Sequence, residues 1–541
     1  MKELLADIFK ATAEKLPYLK EKEIVFSVPN HEDHGDFSTN IAMTLTKELK
    51  RNPREIANEI INNLDSNSSV ISKVEIAGPG FINFFVNKTF LTNIIPSVIE
   101  AGDNFGKSDL YSGKRANVEF VSANPTGPLT VGHGRNAVIG DTVANMLEWV
   151  GYEVDREYYF NNAGRQMRVL GDSVKYRCRQ LLGEEIKFPE DYYQGEYIKD
   201  IARGMIEKFG DDVLSQDDVV FKNTAEREIF ADIENTLAQL KIKMKIFFNE
   251  NSLYEEKKIE RVLDLFREKG LSYEKDGATW LKLNELGNDQ DKVIVKSSGE
   301  PTYRLPDMAY HITKLERDYD LIVDLFGSDH MATYPDVMAG IKALGYETDR
   351  IKVIIHQFVT IIMGGEVVKM STRKANFVTL DELMEEVGAD VVRYFFIMRS
   401  VNTHLNFDLE IAKKQSDENP VFYLQYAHAR ICSILRMTET EKLESSFNHL
   451  ELLTHETEQR LLKKLNSFKS DMLYAVEILE PQKISNYLEE LAALFHRFYT
   501  ECRIIGSDKD LAEARIALVK AVKIVLKNGL NLLGLTAPER M

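Results

Sequence analysis

The chain has 541 residues and a formal net charge of −17. At about 150 residues per domain, this length predicts roughly three or four domains. Hydrophobic residues make up 44% of the chain and charged residues 28%, which excludes a disordered or fibrous protein. The acidic balance argues against a protein that coats DNA through charge alone, but it allows a nucleic-acid partner that meets a local basic face.

The sequence carries no pattern typical of export or of a membrane span. Its first residues include Asp7 and Glu14 within an amphipathic pattern, unlike a secretory signal or an acid-poor transit peptide. No apolar run approaches the roughly 18 residues that a membrane span needs. The cysteines Cys178, Cys432 and Cys502 are scattered and odd in number, so neither disulfides nor structural zinc is predicted. We therefore expect a cytoplasmic protein.

Residues 1–110 are predicted to form a small α+β domain. Helical spacing covers 1–16, 37–49 and 53–64. Strand-like runs follow at 74–77 and 81–86, and the turn Gly78-Pro79-Gly80 joins them.

Residues 111–404 show an alternating α/β pattern. A short strand at 118–121 leads into a loop rich in Pro, Gly and Asn, and a helix at about 132–150 and a strand at 154–160 follow. This βαβ unit predicts a Rossmann-like parallel sheet whose loop opens a helix N-terminus. Strand signals return at 292–296, 321–326 and 351–355, so a helix-rich insertion at about 165–285 is expected to split the sheet.

Residues 405–541 are predicted to form a helical bundle. Helical spacing recurs at 423–437, 456–479, 481–499 and 511–533. In the third segment, leucine and phenylalanine side chains recur every three or four residues and form one apolar face.

One candidate site lies where the first strand of the βαβ unit gives way to its helix. Gly132 and Gly134 let a ligand approach the backbone, and the free N–H groups of a helix start favour phosphate. His133 and Arg135 add donors. A tight turn with a helix-capping histidine is the other interpretation, because short glycine motifs are weak signals. The loop reads Ala123, Asn124, Pro125, Thr126, Gly127, Pro128, Leu129, Thr130, Val131, Gly132 and His133.

A basic segment forms the second candidate site. It reads Lys369, Met370, Ser371, Thr372, Arg373 and Lys374. Three cations in six residues with hydroxyl groups among them are typical of an anion clamp. A capping box over 379–382 predicts that the next helix starts just after the segment. A solvated surface loop is the other interpretation of such a basic run.

Together, the two segments resemble the paired signatures of class I aminoacyl-tRNA synthetases. The HIGH element corresponds to Thr130–His133, and the KMSKS element corresponds to Lys369–Arg373. The order of these elements and their separation across a split sheet carry the resemblance better than either motif alone.

The flanking stretches resemble the arginyl-tRNA synthetase family more specifically, and the likeness covers nearly the whole chain. Two positions depart from the family pattern: Thr130 stands where the family usually has His, and Asn162 stands where it usually has Asp. We therefore carry over no role that needs an imidazole at 130 or a carboxylate at 162. The matching stretches are 35–42, 118–128, 161–166, 301–303, 307–311, 419–423, 425–430 and 531–541.

The resemblance implies an ATP-dependent arginine–tRNA ligase. L-Arginine would be activated by ATP to arginyl-adenylate, with Mg²⁺ on the pyrophosphate, and transferred to the 3′ end of tRNA(Arg). His133 and the neighbouring glycine backbone would cradle ATP, while Lys369, Ser371 and Arg373 would close over the triphosphate. The metal ion would enter with ATP and not at a protein site.

The resemblance places Glu119, Asn124, Tyr303 and Asp307 at the arginine. Guanidinium is always charged and favours bidentate carboxylate contacts, so acidic residues suit this role. Tyr303 and Asp307 are four residues apart and would share one face of a helical turn. Each residue also has an ordinary interpretation, as a core tyrosine, a helix-capping aspartate or a charge at a strand edge.

Two tRNA-contacting surfaces are also implied. Aromatic side chains beside basic groups can stack on unpaired bases and touch phosphates. The tyrosines at the entry of the bundle equally suit buried positions within it. The candidates are Tyr423, Gln425, Tyr426, His428 and Arg430 at that entry, with Lys47, Lys50, Arg51 and Arg54 in the N-terminal domain.

Two other functions stay open on the sequence. The chain could be another class I synthetase, such as a cysteinyl or glutamyl enzyme, although three scattered cysteines do not offer the zinc ligands that a cysteinyl enzyme needs. It could also be a catalytically inactive tRNA-binding paralogue, because Thr130 alters a signature position. The intact Lys369–Arg373 segment and the Tyr303/Asp307 pair weigh against this. We expect a monomer that binds neither membranes nor DNA.

Overall fold

The computed structural model describes residues 2–27, 29, 34–64, 70–328, 331–368 and 379–541. The predicted basic segment Lys369–Arg373 lies outside these residues. Within the described ranges, every helix is too short or too polar to cross a membrane.

The N-terminal domain is a three-stranded antiparallel sheet with helices against it. Its strands are paired in the order β1-β3-β2, and an edge-to-face cluster of Phe9, Phe26 and Phe84 fills its core. In chain order, its elements are α1 (Lys2–Lys15), β1 (Phe37–Thr39), α2 (Ile41–Thr44), α3 (Thr46–Leu49), α4 (Pro53–Asn63), β2 (Ile71–Ala77), β3 (Phe81–Val86), α5 (Lys88–Thr92) and α6 (Ile94–Ala101).

The helix predicted over 37–49 is wrong at its start. Phe37–Thr39 is strand β1, because its backbone pairs with residues 82–84 of β3. The rest of the segment is helical, as two short helices, α2 and α3.

A parallel sheet in the order β11-β10-β4-β5-β6 forms the core of the middle domain and confirms the Rossmann-like prediction. The strand signal at 292–296 is real, but its expected place in this sheet is wrong, because β9 belongs to a separate antiparallel sheet with β7 and β8. The strands are β4 (Arg115–Glu119), β5 (Glu153–Phe160), β6 (Ile246–Asn249), β7 (Ser272–Lys275), β8 (Ala278–Leu281), β9 (Lys292–Val295), β10 (Leu321–Gly327) and β11 (Ile351–His356).

Helices cover the sheet and make up most of the stretch predicted as an insertion at about 165–285, but β6 within that stretch returns to the parallel sheet. The helix that connects β4 to β5 is α7, and the insertion after β5 begins with three long helices. The helices are α7 (Val131–Trp149), α8 (Gly164–Leu181), α9 (Glu196–Phe209), α10 (Asp218–Gln239), α11 (Asn251–Glu255), α12 (Lys258–Glu268), α13 (Arg304–Glu316) and α14 (Tyr334–Leu344).

A small sheet links the middle domain to the C-terminal helices. In this sheet, β14 pairs in parallel with β12, and β13 pairs with β12 from the other side. The elements of this link are β12 (Val359–Met363), β13 (Glu366–Val367), α15 (Leu380–Val387), α16 (Ala389–Ile397), β14 (Leu405–Asp408) and α17 (Leu409–Ala412).

The C-terminal part confirms the predicted helical bundle. Its helices are α18 (Pro420–Thr440), α19 (Glu456–Glu477), α20 (Gln482–Glu501) and α21 (Lys509–Leu532). One apolar core runs from the parallel sheet into this bundle, so the two are packed against each other. The exact domain boundaries stay predictions.

A buried arginine joins α7, α16 and the end of α21. The Arg393 guanidinium donates to the Leu240 and Leu533 carbonyls at 2.6 and 3.1 Å and to the Asp141 carboxylate at 2.8 Å. Arg156 donates to the other oxygen of Asp141 at 3.0 Å and to the Glu148 carboxylate at 2.5 Å. Because each buried charge has an opposite charge in contact, the joint carries no uncompensated charge.

Candidate active site

The candidate site begins at the carboxyl end of β4, the central strand of the parallel sheet. After Glu119, residues Val121 and Ser122 adopt positive φ angles of 67° and 46°, so the chain leaves the sheet abruptly. The Asn136 side chain holds this turn: its oxygen accepts the Val121 N–H at 2.6 Å, and its amide donates to the Leu325 carbonyl at 3.1 Å. Open parallel sheets bind ligands at this edge.

Tyrosines from β5 and the insertion fix the first half of the predicted ATP loop, residues 123–133. Tyr158 donates its hydroxyl hydrogen to the Ala123 carbonyl at 2.8 Å, and Tyr197 donates to the Thr126 carbonyl at 2.7 Å. The exposed Asn124 accepts the Asn161 N–H at 2.9 Å, which links the loop to the start of α8. In the same loop Pro125 and Leu129 are buried, while Gly127 and Pro128 are half-buried.

His133 caps α7 through one ring nitrogen. The Thr130 N–H donates to Nδ1 at 3.2 Å. Since Nδ1 is then an acceptor, the neutral ring carries its hydrogen on Nε2, and burial lowers the pKa of the imidazole, which favours this neutral form. The capping interpretation is confirmed, and Nε2 keeps an N–H that no described residue accepts.

The two glycines of the loop have different surroundings. A Cβ atom at Gly134 would lie 2.6 Å from Leu380 Cδ1, so α7 can pack on α15 only with glycine there. At Gly132, the nearest neighbour of such an atom would be Thr130 Oγ1 at 3.7 Å. Gly134 therefore serves packing, whereas the backbone at Gly132 is open to a ligand.

Arg135 is not the surface donor that the sequence suggested. Its side chain is fully buried, and its guanidinium donates to the backbone carbonyls of Gln357, Ser400 and Thr403. The prediction failed because a charged residue in a glycine-rich loop gives no sign of its own burial.

The residues that follow the predicted basic segment contact the predicted ATP loop. Thr379 forms an antiparallel bridge with Thr130, and the Leu380 N–H donates to the Leu129 carbonyl at 2.9 Å. Thr379 and Glu382 form the predicted capping box, with hydrogen bonds of 2.7 and 3.1 Å. The phosphate contacts expected of Lys369–Arg373 stay a prediction, because the segment lies outside the described residues.

Tyr303 and Asp307 lie at the start of α13, as their spacing predicted. The Tyr303 side chain is 57% exposed, and Asp307 is half-buried. Burial raises the pKa of the Asp307 carboxyl to about 7; His311 opposes this shift, and the carboxylates of Glu119 and Glu250 add to it. Asp307 is therefore a carboxyl group without a compensating cation in direct contact among the described residues.

Glu250 is a site residue that sequence reasoning missed. It follows β6 at the carboxyl edge of the sheet, and it accepts a 2.5 Å hydrogen bond from the Tyr159 hydroxyl. The only sequence signal for this placement is the short run Ile246–Asn249, which becomes a strand through its pairing with β5.

Glu119 forms part of a buried ion network below Asp307. The Lys314 ammonium donates to Glu119 and to Asp324, and all three side chains are buried. Burial favours the neutral amine, but Asp324 and Glu119 outweigh it and raise the pKa of Lys314. Ser122 donates to the other oxygen of Glu119 at 2.9 Å, so Glu119 lies in the site with both oxygens engaged.

His311 completes this network. One of its ring nitrogens lies 2.8 Å from the Asp307 carbonyl, and the other lies 3.0 Å from the Asp324 carboxylate. Burial disfavours the charged ring, but the Asp324 carboxylate outweighs burial and raises the pKa of His311. Both nitrogens face acceptors, so the imidazolium form suits this position.

The tyrosines at the bundle entry differ in exposure. Tyr426 is 37% exposed, and its ring stacks on Phe422 and His496 at centroid distances of 6.1 and 6.0 Å. Tyr423 is half-buried, with its ring 4.9 Å from that of His496. Tyr426 is therefore the more exposed of the two rings.

The polar candidates of the same helix have partners within the chain. Gln425 donates to the Asp390 carboxylate at 2.8 Å, and Arg430 donates to the Tyr499 hydroxyl at 2.9 Å. His428 is buried, with Nδ1 2.8 Å from the Pro538 carbonyl, so its side chain does not contribute to the exposed surface of this helix.

The basic strip of the N-terminal domain is exposed along its whole length. Arg51 pairs with Glu59 at 2.6 Å, and Arg54 donates to the Gly78 carbonyl at 2.5 Å. Lys47 and Lys50 have no ion-pair partner among the described residues and are the freer cations of the strip.

Family models cover most of the chain. The arginyl tRNA synthetase N terminal domain matches residues 3–86, the class I (R) tRNA synthetase catalytic domain matches 95–394, and the DALR anticodon binding domain matches 424–541. The catalytic-domain model alone spans more than half of the chain. The chain belongs to the arginyl-tRNA synthetase family.

Curated relatives and solved structures agree with this family. An arginine–tRNA ligase of Salinibacter ruber is 50% identical over 96% of both chains. The structure of a putative arginyl-tRNA synthetase from Campylobacter jejuni is 32% identical, covers 84% of this chain and all of its own, and has a TM-score of 0.76. Arginyl-tRNA synthetase of Thermus thermophilus has the same fold, with a TM-score of 0.78 at 20% identity and full coverage of both chains.

The predicted enzyme class, a class I arginine–tRNA ligase, is confirmed by these comparisons. None of the reported matches supports a catalytically inactive paralogue. The roles of the individual site residues of this arginyl-tRNA synthetase stay predictions.

The raised pKa of Asp307 predicts a pH-dependent effect of Asp307→Asn on stability. The folded chain holds a proton there up to about pH 7, whereas an unfolded aspartate loses it near pH 4. Stability contributed by this group is therefore lost as the pH rises through that window. We expect Asp307→Asn to raise the thermal midpoint of the ligand-free protein more at pH 8 than at pH 5. Asp318→Asn, at a 99% exposed side chain just after the same helix, is the control, and an equal effect at both pH values would contradict the assignment.

Proposed function

We propose that the cleft at the carboxyl ends of β4, β5 and β10 activates L-arginine with ATP and then charges the 3′ end of tRNA(Arg). The observation that carries this assignment is the position of Asp307, a carboxyl group without a direct cationic partner among the described residues, on the sheet edge that also bears the ATP loop. The arrangement offers separate places for a cation and for an anion.

The first chemical step needs no enzyme nucleophile. An oxygen of the arginine carboxylate attacks the α-phosphate of ATP, a new P–O bond forms, and the bond to pyrophosphate breaks. The protein lowers the barrier by holding the two reactants together and by stabilising the charge that develops on the phosphate. In this proposal the His133 Nε2–H and the backbone N–H groups near Gly132 donate to ATP, and Lys369, Ser371 and Arg373 approach the triphosphate from the other side.

Arginine selection is assigned to the Tyr303 and Asp307 pair. A guanidinium group placed against Asp307 would bring the carboxyl back to its charged form, because an opposite charge in contact lowers a carboxyl pKa. Glu119, already engaged by Lys314 and Ser122, contributes negative potential from below, and Asn124, within the ATP loop, would orient the amino acid. A neutral isostere such as citrulline would leave the carboxyl unpaired and bind poorly.

Mg²⁺ is part of the proposal only as an ion that arrives with ATP. Among the described residues, no cluster of three or more His, Cys, Asp or Glu side chains could hold a metal ion. The ion would neutralise charge on the phosphates, and no step above is routed through it. The monomeric state and the cytoplasmic location stay predictions.

ATP–pyrophosphate exchange tests the function directly. We expect exchange with arginine and with none of the other standard amino acids, and we expect tRNA to be required, because the family generally activates arginine only in its presence. Charging of tRNA(Arg) should follow under the same conditions. A protein that binds tRNA(Arg) but supports neither exchange nor charging would contradict the proposal.

Asp307→Asn should impair the use of arginine far more than the use of ATP. Loss of the charged acceptor leaves a desolvated guanidinium without its partner, so kcat/KM for arginine should fall about 100-fold or more. The KM for ATP should change by less than about threefold, since ATP is bound on another part of the sheet edge. Asp318→Asn, just after the same helix, is the control and should behave as the unmodified enzyme. An unchanged kcat/KM for arginine would remove Asp307 from the pocket.

Tyr426→Ala should weaken binding of tRNA without changing the affinity for arginine or ATP. Stacking of a base on an aromatic ring contributes about 1–3 kcal/mol, so the Kd for tRNA(Arg) should rise about fivefold or more. Tyr426→Phe keeps the ring and should retain most of the affinity. If the Ala and Phe variants bind tRNA equally well, the exposed ring is not a stacking surface.

A further inference from the structure

Arg135 holds the first turn of α7 to three backbone carbonyls. It follows His133 by two residues, and its guanidinium donates to the Gln357 and Thr403 carbonyls at 2.6 and 3.0 Å and to the Ser400 carbonyl at 3.2 Å. Gln357 directly follows β11, while Ser400 and Thr403 lie between α16 and β14. One side chain therefore fixes the turn that carries His133 to two separate segments beside it.

The charge of Arg135 has no counter-ion in the described part of the chain. All of its acceptors are backbone carbonyls, and no described carboxylate lies within 4.0 Å of it. Burial lowers the pKa of this guanidinium to about 10. Arg393, equally buried and also in contact with α7, differs because the Asp141 carboxylate compensates it. An unpaired buried charge costs free energy, so stability alone does not account for Arg135.

The segment that accepts hydrogen bonds from Arg135 is itself held by the helical bundle. The Ser400 hydroxyl donates to the Glu480 carboxylate at 3.1 Å, and Glu480 lies between α19 and α20. The neighbouring residue Asn136 ties the same turn to β4 and β10. Residues 135 and 136 thus connect the start of α7 with the ends of three sheet strands and with the bundle.

We propose that Arg135 is a positioning residue for the nucleotide site: its guanidinium sets where Gly132 and His133 stand, and its uncompensated charge favours the anionic phosphates of ATP. This inference rests on the proposed ATP-dependent function. It assigns two separable effects to one side chain. The planar set of N–H donors fixes the position of Gly132 and His133, and the positive charge raises the affinity for ATP.

Two substitutions separate these effects. Arg135→Lys keeps the charge but cannot reach three carbonyls, so kcat for charging should fall about tenfold or more while the KM for ATP stays within about threefold. Arg135→Met removes the charge as well, so the KM for ATP should also rise about tenfold. The control is Arg393→Lys, which should lower the thermal midpoint but leave kcat and KM within about twofold at a temperature well below it.

A purely structural role would give a different pattern. If both Arg135 variants lower the thermal midpoint but keep the kinetic constants of the Arg393→Lys control, the proposal is wrong. Calorimetric titration of unmodified and variant protein with Mg-ATP measures affinity without turnover. A lower ATP affinity in Arg135→Met but not in Arg135→Lys supports the effect of the positive charge, even where aminoacylation cannot be measured. Equal ATP affinities in all three proteins refute it. Should Arg135→Met fail to fold, Arg135→Gln, which also removes the positive charge, takes its place in the kinetic measurement and in the ATP titration.

Discussion

The ion network around Lys314 sets the geometry on which the rest of the site depends. The ammonium group, carried by α13, contacts Glu119 at the end of β4 and Asp324 in β10, and His311 contacts Asp324 from the same helix. Two positive and two negative groups make this buried set neutral. Because a shift of α13 along the sheet would leave charges unpaired in a medium of low dielectric constant, the helix has one favourable position. Tyr303 and Asp307, at the other end of α13, take their places from it.

Asp307 and Arg135, both near the sheet edge, each lack a counter-ion in contact among the described residues, unlike the neutral network around Lys314. Asp307 is a carboxyl whose pKa burial raises, and Arg135 is a guanidinium whose pKa burial lowers. Their signs are opposite, as are the charges of the two small substrates that the enzyme is proposed to join. A cation at Asp307 and an anion near Arg135 would each relieve a desolvation cost that the folded chain carries when empty. Burial of single charges thus prepares the site for a pair of oppositely charged ligands.

The fold was predictable where local pattern and tertiary packing agree. The four long helices of the bundle follow from apolar spacing on one face, and the helix that begins at Leu380 follows from the capping box before it. Phe37–Thr39 was misread because three residues cannot show a period, and their strand conformation comes from pairing with β3. The strand at 292–295 was found, but its sheet was not, because the choice of partner strand depends on contacts distant in sequence.

The site divides in the same way between residues whose chemistry is local and residues whose role is set by distant contacts. The spacing of Tyr303 and Asp307 on one helical turn and the His133 cap follow from positions within a few residues of each other; the spacing was predicted, and the cap was the alternative interpretation of the glycine motif. Arg135 and Glu250 depend on partners that lie far away along the chain, in Gln357, Ser400 and Tyr159. A charged side chain in a loop gives the same sequence pattern whether it faces water or three carbonyls. Only its burial in the folded chain shows whether it can contact a ligand or instead holds the backbone in place. Because Arg135 is buried, it does not donate to the phosphates directly but holds the turn that carries His133. Its positive charge can still attract ATP through space, since electrostatic interactions extend beyond direct contact.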